Sequence, residues 1–153
     1  KIKPNYSDVA EKLNEYQELR MNDKLKDFMI AADPVFEQMC KDLISSMNLE
    51  LIEFKPIKSN IIELIVSEDE GKWRNTKKRK TFIRIIRDAE QTPESSIRDI
   101  IDQMKIVGAM RSICISTGNF TKQALSYAQT RPIELVDRQG LSKMIEKVDF
   151  NYV

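Results

Sequence analysis

The stretch Ile113-Cys-Ile-Ser-Thr-Gly-Asn-Phe-Thr-Lys-Gln-Ala-Leu-Ser-Tyr-Ala128 decides the fold, because it contains a strand, a turn and a helix in direct succession. Residues 112–116 form an apolar run with polar ends, which predicts a short buried strand. Thr117-Gly118-Asn119 consists of turn-forming residues. Residues 120–129 then carry apolar side chains at helical spacing. A strand followed closely by a helix is typical of an α/β protein.

The helix of this stretch is predicted to lie close to the sheet. Ala124 and Ala128 are four residues apart and therefore share one helix face that carries little bulk. We expect Leu125 to point inward with them. Either Asn119 or Thr121 can cap the first turn, because each side chain offers an oxygen to the unpaired backbone N–H groups.

The residues after this helix repeat the pattern. Ile133-Glu-Leu-Val136 predicts a strand, residues 137–140 predict a turn, and residues 141–148 predict a last helix. The short strand–helix–strand connection predicts that strands 112–116 and 133–136 are parallel neighbours with a right-handed crossover between them.

The residues before the stretch also predict strands and a helix. Residues 60–66 and 81–87 are rich in branched side chains and predict two strands that pair antiparallel across a long polar loop. Residues 49–54 predict one more strand. A helix is expected between Thr92, as its N-terminal cap, and Gly108, at which it ends.

The N-terminal third predicts two helices in succession. Apolar residues recur at helical spacing over 6–32, which predicts one long helix, and a second helix is predicted over 34–47. We therefore divide the chain into an N-terminal helical extension, residues 1–33, and an α/β domain, residues 34–153. The length and charged stripes of the helix 6–32 leave a homo-oligomer through that helix open.

Composition excludes several classes of site and of protein. The 153 residues carry a formal net charge of +1 and include no histidine, which excludes Ser-His-Asp and Cys-His catalysis and every zinc site that contains histidine. Cys40 and Cys114 lie in apolar surroundings, and we expect them to be reduced and unlinked. The apolar runs are too short to cross a bilayer, so no membrane association and a cytoplasmic location are expected.

The pattern Ser116-Thr-Gly-Asn-Phe-Thr, followed by the two alanines, by Ile133-Glu-Leu-Val-Asp137 and by Gly140-Leu141, resembles the back half of the Mrr-type restriction endonuclease domain. Ser116 stands where that family has its first threonine. The resemblance extends from Pro34 to Val148. It implies a restriction-endonuclease-like mixed central sheet flanked by helices, within the PD-(D/E)xK superfamily, and DNA as the substrate class.

Function in the resembled family depends on an acidic residue on one strand and a Glu-or-Gln-x-Lys triplet on the next, which hold Mg²⁺ and stabilise developing charge. In this sequence the family's Phe-Glu on the first helix falls on Phe36-Glu37, and the metal-binding acid falls on Glu63. The triplet falls on Arg84-Ile85-Ile86. Arg84 cannot ligate a cation, and Ile86, at the usual lysine position, cannot stabilise a charge. The resemblance therefore implies a degenerate catalytic site, in which Glu63 and Glu37 remain as candidate catalytic residues.

Glu63 and Arg84 are predicted to meet as an ion pair. An isolated carboxylate is costly to bury, and Arg84 lies on the strand that we expect beside that of Glu63. The pair would stand at the family's metal position, so we expect no metal and no cofactor. Mg²⁺ is required only if the site is rearranged and active.

The polar loop before the strand at 81–87 is the strongest candidate for contact with nucleic acid. Residues 72–80 hold six cations and the only tryptophan of the chain. Cations neutralise phosphates and an indole can stack on a base, while the alternative is a solvated loop whose tryptophan folds back on the sheet. The predicted DNA-binding residues are Lys72, Trp73, Arg74, Lys77, Lys78, Arg79 and Lys80.

Three functional hypotheses follow. The first is a catalytically degenerate restriction-endonuclease-like domain that binds DNA, independently of its sequence, or a protein partner. The second is an active Mg²⁺-dependent DNA endonuclease with a rearranged site built from Glu37, Glu63 and an acid or lysine of residues 67–80. The third is an oligomeric protein-interaction module.

Overall fold

A computed structural model describes residues 23–68 and 79–148 of the chain. Residues 23–30 are helical and are called α1. The other elements, in chain order, are α2 (Asp33–Ser46), β1 (Leu49–Lys58), β2 (Ile61–Glu68), β3 (Lys80–Ile86), α3 (Glu94–Ile106), β4 (Arg111–Ser116), α4 (Lys122–Ala128), β5 (Ile133–Val136) and α5 (Arg138–Glu146).

The five strands form one mixed sheet in the order β1-β2-β3-β4-β5. β1, β2 and β3 pair antiparallel, and β3, β4 and β5 pair parallel. Both predicted pairings are therefore confirmed: 60–66 with 81–87, and 112–116 with 133–136. The fold is the α/β sheet flanked by helices that the sequence predicts.

Each face of the sheet buries its own hydrophobic core. α1, α2 and α5 cover one face, where Leu43 of α2 and other helix side chains pack with alternate residues of β2, β3 and β4 such as Ile62, Ile83 and Ile115. α3 and α4 cover the other face, where Phe82, Ile97 and Ala124 are buried. Alternation along the strands assigns each residue to one face, and this assignment fixes where a charged side chain within a strand must point.

The described part of the predicted helix 6–32 differs from the prediction. Residues 6–22 lie outside the described residues, and the helical residues 23–30 are followed by a break at 31–32 before α2 begins. Leu25 and Phe28 lie in the first core, and the Phe28 ring meets that of Phe36 edge to face, with centroids 5.1 Å apart. This end of the predicted extension thus packs on the domain, while the division at 33/34 stays a prediction.

The predicted cap of α3 is wrong. Pro93 occupies the cap position without a side-chain cap bond. Thr92 instead forms a parallel bridge with Phe120, in which its N–H donates to the Asn119 carbonyl over 2.8 Å. A backbone contact between segments far apart in sequence takes Thr92 away from the helix terminus. Gly108, with φ of +75°, ends the helix region as predicted.

The last two helices also start at other residues than predicted. α4 begins at Lys122 and not at Phe120, and its cap is Thr121, one of the two predicted, whose hydroxyl accepts from Ala124 N. Leu125 is 49% exposed instead of inward. Residues 137–140 are no separate turn, because Asp137 caps α5 by accepting from Gly140 N. Asp is a strong capping residue, so the helix begins three residues earlier than the apolar pattern indicates.

The two cysteines are free thiols and both are buried. Cys40 lies in the first core and Cys114 in the second, so the sheet separates them. Among the described residues, no helix is long and apolar enough to span a membrane.

Candidate functional site

Glu63 of β2 and Arg84 of β3 lie directly opposite each other in the antiparallel pair. Both side chains point to the face covered by α3. Arg84 Nη2 donates to Glu63 Oε2 over 2.6 Å, and Arg84 Nε donates to the same oxygen over 3.0 Å. The two side chains are only 11% and 13% exposed, so this ion pair lies largely out of water.

A third residue, Asp99 of α3, completes the site. Arg84 Nη2 also donates to Asp99 Oδ2 over 2.7 Å, so the guanidinium is held between two carboxylates. Burial disfavours the charged form of Arg84, but hydrogen bonds and charges from Asp99 and Glu63 outweigh it and raise the pKa of Arg84 above its ordinary value. The guanidinium is therefore a permanent cation at this position.

The site does not fit Mg²⁺, the metal that the fold implies. A magnesium ion needs oxygen ligands at octahedral positions, whereas the Glu63 oxygen is already bound by a guanidinium. Ile86, which the resemblance assigns to the lysine position, is 8% exposed and belongs to the second core. Among the described residues there is no group of three or more carboxylates or thiols placed to hold a metal ion.

The structure places Glu37 and Glu63 at different cavities. Glu37 lines a cavity of about 140 Å³ between α2 and the β1–β2 turn, together with Asp33 and Lys58. Glu63 lines a cavity of about 70 Å³ with Phe82 and other residues of the opposite face. The two cavities share no lining residue, so the carboxylates on which the rearranged nuclease depends are not brought together.

Most of the predicted DNA-binding stretch lies outside the described residues, namely Lys72, Trp73, Arg74, Lys77 and Lys78. Arg79 and Lys80 are described, and both are exposed. Lys80 pairs with Ser67, four residues along β2 from Glu63, which corresponds to about 13 Å along the strand. Arg79 and Lys80 therefore lie at the start of β3 and are separated along the strand from the Glu63–Arg84 pair.

Sequence reasoning missed two contributions to this region. Asp99 is a charged residue of the amphipathic helix α3, and the sequence pattern indicates only that it faces solvent. The packing of α3 on the sheet brings it to Arg84. Arg87 follows β3 and is 9% exposed. Its guanidinium lies 3.9 Å from the Phe36 ring and donates to the carbonyl of Ala31 over 2.6 Å. It thereby fixes the end of α1 to the sheet, since cations bind well at helix C-termini.

The turn that follows β4 holds the segment after β3 in place. Thr117 Oγ1 accepts from Asp88 N over 2.7 Å and donates to the Asp88 carbonyl over 3.0 Å. A Cβ on Gly118 would lie 2.7 Å from the Glu90 carbonyl oxygen, a distance that only glycine permits. The Thr-Gly of the sequence pattern therefore has a structural role, which is to let two backbone segments approach closely.

The comparisons with known proteins agree with this architecture. The family model of the Mrr catalytic domain, described as a restriction endonuclease, matches residues 31–145. No curated protein matches the sequence.

Solved structures resemble the chain in fold at low sequence identity. "DNA modification-dependent restriction endonuclease AspBHI" matches with a TM-score of 0.63 and 12% identity over 82% of this chain and 34% of that chain. "MspJI Restriction Endonuclease in Complex with 27-mer Oligonucleotide" matches with a TM-score of 0.55 and 10% identity over 89% of this chain and 32% of that chain. The chain thus spans about a third of the length of these two proteins. With the family model matching most of its residues, this chain belongs to the Mrr-type restriction endonuclease family.

Proposed function

We propose that this chain is a restriction-endonuclease-like domain that binds DNA, and that its candidate catalytic site around Glu63 does not cleave the DNA. The observation that carries the proposal is the Arg84 guanidinium, which lies between Glu63 and Asp99 at 2.6 and 2.7 Å. By the sequence resemblance, Arg84 occupies the first position of the family's Glu-or-Gln-x-Lys triplet, where the family has an oxygen ligand for the metal.

The loss of cleavage follows from the chemistry of a guanidinium. Arginine keeps its proton at any pH at which the protein is folded. The guanidinium therefore stays bound to the Glu63 carboxylate, and Glu63 is not released to act as a metal ligand. A divalent ion beside Glu63 would meet a fixed positive charge within a few ångströms, in surroundings that screen charges less than water does. The charge of Glu63 is offset without metal, and Ile86 supplies no cation for a developing phosphate charge.

A plasmid-nicking assay tests the absence of cleavage. Wild-type protein and Glu63→Ala are incubated with supercoiled DNA in Mg²⁺ and, separately, in Mn²⁺. We expect equal background nicking in both proteins. Nicking by the wild type that Glu63→Ala abolishes would contradict the proposal and favour the active nuclease.

DNA binding is supported by the positive residues within 72–80 and by one structure of similar fold, the MspJI restriction endonuclease, which is a complex with a 27-mer oligonucleotide. Contacts from lysine and arginine to phosphates release counterions, so binding should be independent of sequence and weaken with salt. We place the contact surface at residues 72–80, of which Arg79 and Lys80 are described and exposed.

Fluorescence anisotropy with a labelled duplex tests this surface. The variant with Lys77, Lys78, Arg79 and Lys80 changed to alanine should lose measurable binding, and each single change should reduce the salt slope by about one unit. The matched control replaces four exposed cations of α4, α5 and the residue after α5: Lys122, Arg138, Lys143 and Lys147. An equal loss of DNA affinity in both quadruple variants would exclude residues 72–80 as the DNA-contact surface. If the wild-type protein does not bind the duplex at all, a protein partner is favoured instead.

A further inference from the structure

The strand β1 is long, lies at the edge of the described sheet and carries exposed apolar side chains. It spans ten residues, Leu49–Lys58, and pairs on one side with β2. Leu51, Ile52 and Ile57 are 37%, 48% and 43% exposed. An edge strand of this length presents a row of backbone groups to which another strand can bond.

The charges of β1 have an antisymmetric order about Phe54. Glu53 and Lys55 lie one residue on either side of it, and Glu50 and Lys58 lie four residues on either side. All four pair with β2 residues of one face, namely Ser67, Ile65, Glu63 and Ile61, so their side chains share the face that α3 partly covers. The strand therefore has a negative first half and a positive second half on one face.

We propose that β1 pairs antiparallel with β1 of a second copy of this chain, with Phe54 on the two-fold axis. In that arrangement Glu53 faces Lys55 of the second copy and Glu50 faces Lys58, and symmetry repeats both pairs. The two sheets then form one continuous sheet. The proposal rests on β1 alone and does not depend on DNA binding.

The bulges of β1 keep this pairing of charges. The ladder with β2 skips Ile52 and Ile57, one on each side of Phe54. Whether or not the two bulged residues are counted as ladder positions, Glu53 therefore still faces Lys55 and Glu50 still faces Lys58 across the two-fold axis. A bulge on one side only would have moved Glu50 out of line with Lys58.

The backbone directions also suit a partner at this edge. Arg87 N donates to Asn60 O just beyond the β2–β3 pair, so alternate residues of β2 bond to β3 and the others bond to β1. In the β1–β2 register, Leu51, Phe54 and Pro56 pair with the β2 residues that bond to β3. Their backbone groups point to the open edge. The charged residues then form the non-hydrogen-bonded pairs with the second copy, in which side chains are closest.

Proline, lysine and bulges are also the means by which edge strands avoid pairing. Pro56 does remove one N–H donor from the open edge. The order of the charges distinguishes the two roles, because a strand protected from its own copies needs like charges facing one another. A shift of two residues in either direction would set Glu53 against Glu53, or Lys55 against Lys55, so the charges select one register.

Sedimentation velocity over a dilution series tests the pairing, with Lys55→Glu as the first variant. Each dimer contains the Glu53–Lys55 contact twice, so Lys55→Glu converts two attractive pairs into two repulsive ones. The dissociation constant should rise about tenfold or more. The double variant Glu53→Lys/Lys55→Glu exchanges the two charges and restores opposite pairs, so it should recover a dissociation constant within about threefold of the wild type. Lys143→Glu on the exposed side of α5 is the control for a charge reversal elsewhere and should leave the dimer unchanged.

Circular dichroism of each variant separates loss of pairing from loss of folding. A monomeric wild type throughout the dilution series would overturn the proposal. So would a dimer that Lys55→Glu leaves intact, or a double variant that stays as weak as the folded single variant.

Discussion

The β4–α4 turn and the β2–β3 pair are both buried polar regions, but they are built differently. The turn uses a small hydroxyl and a glycine to hold backbone against backbone, as in the contacts of Thr117 and Gly118 with residues 88–90. The β2–β3 pair uses long charged side chains, Glu63 and Arg84, on a regular ladder. The turn therefore limits which residues the fold accepts, because backbone atoms leave no room for a Cβ on Gly118. In the β2–β3 pair the side chains project from a regular backbone ladder, so the chemistry of the site depends on which side chains stand there.

Arg84→Ala gives the largest expected effect on this comparison. The change removes the cation that pairs with Glu63, whose side chain is only 13% exposed. An unpaired, largely buried carboxylate is costly, so the free energy of unfolding should fall by about 3 kcal/mol. Urea denaturation measures the change. Arg98→Ala, which removes an exposed pair with Glu94, is the control and should cost less than about 1 kcal/mol. A loss below about 1 kcal/mol in Arg84→Ala would show that the pair is effectively solvated.

Gly118→Ala tests the turn with the next largest effect. The new Cβ would overlap the Glu90 and Asp88 carbonyl oxygens at 2.7 and 2.9 Å, and backbone cannot move as a side chain can, so we expect a loss of about 2 kcal/mol. Thermal unfolding measures it. Gly140→Ala is the matched control, because its Cβ would meet mainly the Val136 side chain at 3.1 Å and gain helix propensity in α5. Equal losses in the two variants would argue against a special role for the turn.

Thr121→Ala tests the start of α4 and should cost about 1 kcal/mol, because the Thr121 hydroxyl accepts from Ala124 N over 3.1 Å. Denaturant unfolding again provides the measurement. The neighbouring change Asn119→Ala removes an exposed side chain and should be nearly neutral. A larger loss in Asn119→Ala than in Thr121→Ala would reassign the cap.

The thiols give the smallest expected effect. Burial raises the pKa of Cys114 to about 12 and also raises that of Cys40. A thiol that binds its proton more tightly when folded contributes stability below its unfolded pKa of about 9, and this contribution is lost as the pH rises toward about 12. Stability should therefore decline above pH 9, and a disulfide reagent at pH 8 should react slowly until the protein unfolds. Rapid labelling of the native protein would show that one of the thiols is accessible.

The sequence predicts the strands of the sheet well, because their alternation and branched residues have few other interpretations. The ends of the helices were harder to predict. Thr92 and Asp137 are both good caps in isolation, yet only Asp137 caps its helix, because Thr92 bonds to Asn119 across the fold. Leu125 has the hydrophobicity of a core residue and is nevertheless half exposed, since Ala124 and Ala128 already face the sheet in a helix of two turns.

For the candidate site, the sequence resemblance predicted an arginine at the first position of the family's triplet and no lysine at the third, and this assignment stays a prediction. Resemblance placed Glu63 and Arg84 on neighbouring strands, and the period of two along a strand fixed their common face. Only the tertiary structure decided that Asp99 binds the same guanidinium and that Arg87 joins α1 to the sheet. The physical reason is that these contacts depend on how a helix is positioned over a strand. No local pattern of charges or periods encodes that position, because packing across the whole sheet determines it.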